Sequence, residues 1–361
     1  MKPISRKDFL RLLAAGAGSL ALNQILAACG AEGSNTLTPA PLTPRATTTP
    51  TQVLPHPTDT ATPTGTTPPE PTASATQPGS TQTDTPVVSP VSKPDLVVAR
   101  GGDPEVLLRR GLSALGGLDQ FVPRGSDVII KPNICVEYRT YEYAATTNPW
   151  LVGALVRLCY EAGANRVRVM DHTYKSKMSE AYRKSGIQEQ VAVAGGEMVV
   201  MQAHKFIPTD IPQGRDLDTL WLYDEILNAD VLINVPIAKH HFIADLTLGM
   251  KNLMGVMEHR LTMHTNMGQR LADLNSRVRP TLNVMDAIRM LMAGGPTGGS
   301  LDDVVRLDTL ILSPDVVALD SYTTTLFGKK PLDLDCIRAA RAMGLGESDL
   351  KKMRIEEIQL S

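Results

Sequence analysis

The sequence predicts an α/β fold: a mostly parallel, twisted sheet with helices on both faces, built as one domain or as two lobes. Short apolar runs rich in Val, Ile and Leu alternate with segments of helical period, the pattern of repeated strand–helix units. The run in "SDVIIKPNICV" is continuous rather than alternating, as expected of a strand covered on both faces.

The elements follow in order. "DLVVARG", from Asp95, reads as the first strand. Asp103 and Pro104 supply an N-cap and a first-turn proline for a helix over 104–117. The second strand is "SDVIIKPNICV", 126–136. Asn148 and Pro149 open a helix over 148–164 that ends near Gly163, and "RVRVMDH" returns as a strand. Further strands are "EMVVM", "ADVLINVPI", "TLNVMDAI" and "LDTLILSPD". Helices are expected at 179–190, 244–257, 269–277, 316–327 and 334–343.

Residues 95–361 hold all of these elements. Residues 1–29 have the layout of an export signal: a basic start, an apolar middle and small residues before Cys29. Arg11, Asn23 and Gln24 make the apolar stretch a poor permanent membrane helix. Leu26-Ala27-Ala28-Cys29 looks like a lipobox and predicts lipidation of Cys29. Ser5-Arg6-Lys7-Asp8-Phe9-Leu10 resembles the twin-arginine export motif, with Lys7 where a second arginine is usual. Residues 30–94 read as a disordered tether, since from Ser34 to Pro94 about half the residues are Thr or Pro and none is Phe, Trp or Tyr. The expectation is an extracytoplasmic cell-envelope protein, held to a membrane through a lipid anchor.

Lys and Arg number 36 against 38 Asp and Glu, without a basic block, so nucleic acid is not an expected partner. Beyond Cys29 the cysteines are Cys135, Cys159 and Cys336. They form no CxxC pair, hence no ferredoxin-type iron–sulfur motif or zinc ribbon, and they leave room for one disulfide.

Ligands of such sheets bind beyond the carboxyl ends of the strands. Those ends carry Lys131-Pro132-Asn133, Asp171-His172, Asn234-Val235-Pro236 running into Lys239-His240-His241, and Asp286 followed by "GGPTGG" from Gly294. Several strands thus deliver lysine, asparagine, aspartate and histidine to one edge.

The order KPN, TTNP before a helix, Asp at the next strand end, "NVPIAKHH…LTLGMKNLMG", "RPTLNVMDAI…GGPTGG" and "SPDVVALD" resembles the DUF362 family, over nearly all of 95–361. The family pattern falls on Lys131, Asn133, Thr147, Asp171, Asn234, Lys239, His241, Thr247, Lys251, Asn252, Asp286, Gly295, Pro296, Asp315 and Asp320. The resemblance implies an α/β fold and no established activity. Members are frequently described as iron–sulfur or exported proteins, and some carry a ferredoxin-like insert. This chain has no such insert, so the cluster does not carry over. Asp315, beside Pro314, is read as a helix-end residue.

If 244–257 is one helix, Thr247 and Lys251 share a face, while Leu246, Met250, Leu253 and Met257 form an apolar core stripe. Lys251 then joins Lys131 and Lys239 in a cleft. With Asn133, Asn234 and Asn252, and backbone N–H groups around Gly295, these residues make a site for a small phosphate- or carboxylate-bearing anion. It is neither a Walker loop nor a dinucleotide fingerprint. His241 and His172 with Asp171 supply ligands for a divalent metal as a possible cofactor, though at no recognised spacing. No G-x-S-x-G occurs, and Cys135 reads as a small core residue rather than a nucleophile. The function expected is an enzyme acting on a small anion, with Lys239, His241 and Lys251 as acid, base or electrostatic groups. The alternative is a lipoprotein that binds an anion or a metal without catalysis.

Overall fold

The structure, a computed structural model, describes residues 93–174 and 177–360. The export signal, Cys29 and all of the tether but Lys93 and Pro94 lie outside the described residues. Among the described residues no helix is long and apolar enough to cross a membrane.

Residues 95–132 set the frame. Strand β1 (Leu96–Arg100) leads into helix α1 (Pro104–Ala114), whose N-cap Asp103 accepts from the Glu105 N–H as expected. Strand β2 (Asp127–Pro132) follows. Asn148 caps α2 (Pro149–Glu161) through the N–H groups of Trp150 and Leu151, and β3 is Arg166–Val169. The helix expected at 179–190 is two, α3 (Met178–Lys184) and α4 (Ile187–Val193). Gly186 parts them at φ 78°, a left-handed conformation that a helix cannot contain. β4 is only Glu197–Met198. A two-stranded antiparallel sheet, β5 (Phe206–Asp210) and β6 (Thr219–Tyr223), and a short α5 (Asp224–Leu227) precede β7 (Val231–Val235).

The central segment departs most from expectation. Residues 237–257 form β8 (Ile237–His241), β9 (Asp245–Thr247), a single turn α6 (Gly249–Asn252) and a 3-10 turn, Leu253–Val256. The long helix is not made. β9 pairs antiparallel with β8, setting Lys239 opposite Thr247 and His241 opposite Asp245, so the hairpin takes the backbone groups that a helix would have used. Asp245 sits at φ 60° and the Asp320 carboxylate caps the Gly249 and Met250 N–H groups, starting the helix five residues late. The apolar stripe is nevertheless core: Leu246, Met250, Leu253 and Met257 are all buried.

After α7 (Met267–Arg277) come β10 (Leu282–Leu291), β11 (Val304–Ser313), α8 (Val316–Leu326), α9 (Asp335–Ala342) and β12 (Ile355–Gln359). Asp315 is the N-cap of α8, accepting from Val317 and Ala318, which agrees with its reading as a helix-end residue. The main sheet runs β12-β1-β11-β10-β7-β2-β3-β4, with β8 joined to β10 and to β9. Most of its pairs are parallel; β1–β11, β10–β11 and β8–β9 are antiparallel. Val97 and Ala99 of β1 face the core that contains Leu107 and Leu108 of α1 and Leu151 of α2. Leu96 and Val98 face the core of α8 and α9. Helices therefore cover both faces, as the continuous apolar runs foretold. Among the described residues the large sheet holds every strand but β5 and β6, which form their own two-stranded sheet. Cys135, Cys159 and Cys336 are all free thiols.

Candidate functional site

Strand β2 leads on one side to β3 and β4, while the chain returns to place β7 and β10 on its other side. This reversal of winding opens a crevice at the carboxyl ends of β2 and β7, the place where open α/β sheets bind ligands. Lys131 of β2 and Asn234 of β7 are register partners there. The crevice is a cleft of about 100 Å³, lined among others by Lys131, Asn133, Asp171, Lys239, Thr247 and Arg260. A single water needs roughly 10–15 Å³ on this measure, so the cleft has room for a small organic or inorganic anion.

Its floor is a chain of buried polar groups. The Lys131 ammonium donates to Asn252 Oδ1 at 3.0 Å and to the Pro132 carbonyl at 2.9 Å, and pairs with Asp171 Oδ1 at 2.8 Å. The other Asp171 oxygen accepts from the Ile134 N–H at 2.6 Å. Lys239 Nζ donates to Asn133 Oδ1 at 2.9 Å and to the Ala145 carbonyl at 2.6 Å. Asn133 Nδ2 donates to Asn252 Oδ1, Asn252 Nδ2 to Asn234 Oδ1, and Asn234 Nδ2 to Asn283 Oδ1. Four asparagines thus run from the cleft into the sheet. They lock both lysines by satisfying groups whose burial would otherwise be costly.

The lining carries four basic side chains, Lys131, Lys239, Lys251 and Arg260, and one carboxylate, Asp171, already paired. Burial pushes the Lys131 ammonium down to about 8, although Asp171 pulls the other way. The Lys239 amine is lowered by burial too, against the opposing pull of Cys135 and Asp171. Burial likewise lowers Arg260, and it raises Asp171 against the pull of Lys131. His172 falls to about 4 through burial and then Arg260; His264 is lowered by burial and then Lys251. His241 is driven far below the usual imidazole range by burial, then by Lys251 and Lys239. It is held in its neutral form at physiological pH. Its Nδ1 accepts from the Ile243 and Ala244 N–H groups, so hydrogen bonding assigns the proton to Nε2.

Of the residues expected from sequence, Lys131, Asn133, Asp171, His172, Lys239, His241, Lys251 and Asn252 line this cleft; Asn234 and Gly295 do not. Asn234 is fully buried, its amide donating to Gly249 O and Asn283 Oδ1. The Gly295 N–H donates to His240 Nδ1, and a Cβ there would fall 1.9 Å from the His240 carbonyl oxygen. Gly295 therefore lets the "GGPTGG" loop approach β8 instead of binding a ligand. The metal set of His241, His172 and Asp171 is not assembled. Among the described residues no three His, Cys, Asp or Glu side chains are grouped to hold an ion. Asp171 is taken by Lys131 and Ile134, and the His172 Nδ1 lies 3.3 Å from the Met257 carbonyl.

Arg260 and Phe242 carry no signal that the sequence analysis used, whereas Thr247, a position of the family pattern, does line the cleft. Arg260 is held by the carbonyls of His172 and Thr173. Among the described residues the buried Thr247 Oγ1 has no hydrogen-bond partner. Phe242, half exposed, stacks on His241 with ring centroids 5.4 Å apart. The signal available for Arg260 was a lone arginine in "VMEHRLTM", which nothing local explained.

The profile of a domain of unknown function, DUF362, matches residues 128–325. The chain belongs to the DUF362 family. The matched span of this DUF362 protein runs from β2 to α8 and contains every residue of the cleft. The thylakoid-associated protein sll1697 of Synechocystis sp. is 30% identical over 253 residues, covering 66% of this chain and 74% of the relative. Among solved structures, the lactate racemase apoprotein of Thermoanaerobacterium thermosaccharolyticum aligns with a TM-score of 0.39 and 13% identity, over 59% of this chain and 53% of that one. A Thermotoga maritima protein aligns at 0.37 and 10% identity, over 67% and 60%. This DUF362 chain thus spans between half and two thirds of the length of those two structures.

Proposed function

We propose that the cleft binds a small phosphate- or carboxylate-bearing anion and that the protein is an enzyme acting on it. The observation that carries this reading is the imbalance of four basic side chains against one paired carboxylate, in a site where burial depresses the bases. An anion there relieves the mutual repulsion of the cations and returns to them the solvation that burial removed. Lys239 and Lys251 supply charge and protons, and neutral His241 donates from Nε2. The amine of a buried lysine drawn toward neutrality can accept as well as give a proton, which a surface lysine cannot do.

The protein is further proposed to work outside the cytoplasm, tethered by a lipid on Cys29 and exported by a twin-arginine-like signal. The name of the Synechocystis relative, thylakoid-associated, supports a membrane setting. Loss of metabolic lipid labelling in Cys29→Ser tests the anchor.

Calorimetric titration with inorganic phosphate and with acetate at low salt tests the anion site. Binding should weaken as salt rises and fall about tenfold in Arg260→Gln, roughly 1.4 kcal/mol. Wild-type affinity in both Arg260→Gln and Lys251→Ala would overturn the reading.

A further inference from the structure

The two fully enclosed lysines of the cleft differ in how many acceptors surround them. Lys131 Nζ has three at hydrogen-bonding distance, Asp171 Oδ1, Asn252 Oδ1 and Pro132 O, which is the complement of an ammonium. Among the described residues Lys239 Nζ has two oxygen acceptors, Asn133 Oδ1 at 2.9 Å and Ala145 O at 2.6 Å. The Cys135 thiol also acts on it, and its Sγ lies 3.6 Å from the Pro296 carbonyl. Sulfur is a weak acceptor, so the third N–H of an ammonium would be poorly held there. A free amine meets both oxygens with its two N–H groups and keeps a lone pair.

Lys239 also lines the cleft, on β8, with Thr247 its cross-strand partner. The Thr247 hydroxyl is buried and has no partner among the described residues, and Lys251 and Arg260 stand in the same lining. A nucleophile and groups suited to a carboxylate therefore share one small cavity.

We propose that Lys239 is a nucleophile, and that it forms an imine with an α-keto carboxylate held in the cleft. This rests on the anion reading above and narrows it to a substrate class. The Lys239 Nζ lone pair attacks the keto carbon, forming a C–N bond as the carbonyl π electrons move to oxygen. That oxygen leaves as one water with both amine hydrogens, and the nitrogen lone pair closes the C=N bond. No oxidant or further reactant is consumed. The imine draws electrons from the adjacent carbon, so the reactions open to it are proton loss, aldol-type bond formation and its reverse. Asn133 and Ala145 hold the amine in position, and Lys131, clamped by its three acceptors, keeps its charge and does not compete.

The purified full-length protein is incubated with pyruvate, α-ketobutyrate or phenylpyruvate, reduced with cyanoborohydride and analysed by intact mass and peptide mapping. The expected result is one reduced adduct per chain on Lys239, suppressed by excess phosphate and lost in Lys239→Arg, which keeps a basic side chain of similar length but offers no nucleophilic amine. An adduct on Lys131, Lys251 or surface lysines, or none with any of the three acids, overturns the proposal. Mapping of the wild-type protein decides this even if the variant does not fold. Calorimetric phosphate binding without an adduct would refute the imine alone. Absence of both phosphate and keto-acid binding would refute the anion reading as well.

Discussion

Replacing Gly255 by alanine is the most direct test of how the cleft is built. Gly255 ends the "KNLMG" stretch and lies against the Lys131–Asp171 pair. A Cβ there would fall 1.9 Å from Asp171 Oδ1 and 2.5 Å from Lys131 Nζ. Real Cβ contacts essentially never come below 3.0 Å, so the carboxylate must retreat by at least 3.0 − 1.9 = 1.1 Å. It cannot do so and keep both the 2.8 Å ion pair and the 2.6 Å bond from the Ile134 N–H. The side chains of the pair are 1% and 4% exposed, so water does not replace what is lost. Disrupting a buried pair costs about 3–5 kcal/mol, and overpacking alone about 1–3 kcal/mol. At the lower figure for the pair, and at roughly 2–4 °C per kcal/mol, Gly255→Ala should lower Tm by about 6–12 °C. Differential scanning calorimetry of wild type and variant measures this, with phosphate titration as a second readout. A Tm within about 2 °C of wild type together with unchanged phosphate affinity would refute the idea that this glycine holds the pair in register.

Two further predictions concern protons. Burial raises Asp320 to about 7 despite its bonds from the Gly249 and Met250 N–H groups, and Asp286 to about 6 despite those from Asn148 and Ile288. Both lie above their unfolded values, so between roughly pH 4 and pH 7 the native state binds more protons and stability falls as pH rises. Asp320→Asn should therefore lose less stability than wild type between about pH 5 and pH 8 in urea titrations; equal losses would count against the buried charge. His241, held neutral by burial and by Lys251 and Lys239, should show the Nε2–H tautomer by nitrogen NMR with no titration between about pH 5 and pH 8. A midpoint near the usual imidazole value would contradict the buried geometry.

Asp103, Asn148 and Asp315 announced helix starts because an N-cap needs only its own side chain and the next two or three N–H groups. Lys131 and Asp171 announced themselves because polar groups at the ends of apolar strands of a parallel sheet must gather at one edge. In the segment after Lys239 the apolar stripe fits a helix as well as a hairpin turning into a short helix, so the pattern alone does not separate them. The choice was made by the Asp320 carboxylate, some seventy residues away, and by pairing with β8.

By itself, then, the sequence determined the α/β class, the caps, the continuous strands and the set of lysines, asparagines and histidines available to the site. These depend on local propensity and on the period of the apolar pattern, which neighbours in the chain define. Tertiary structure alone decided what each polar group does. It saturated Asn234 inside the sheet, turned Gly295 into a close-packing device, drew Arg260 to the cleft and left Lys239 with two oxygen acceptors where Lys131 has three. Those outcomes depend on which partners distant segments bring within about 3 Å, and in a low-dielectric interior that proximity governs the cost of every charge.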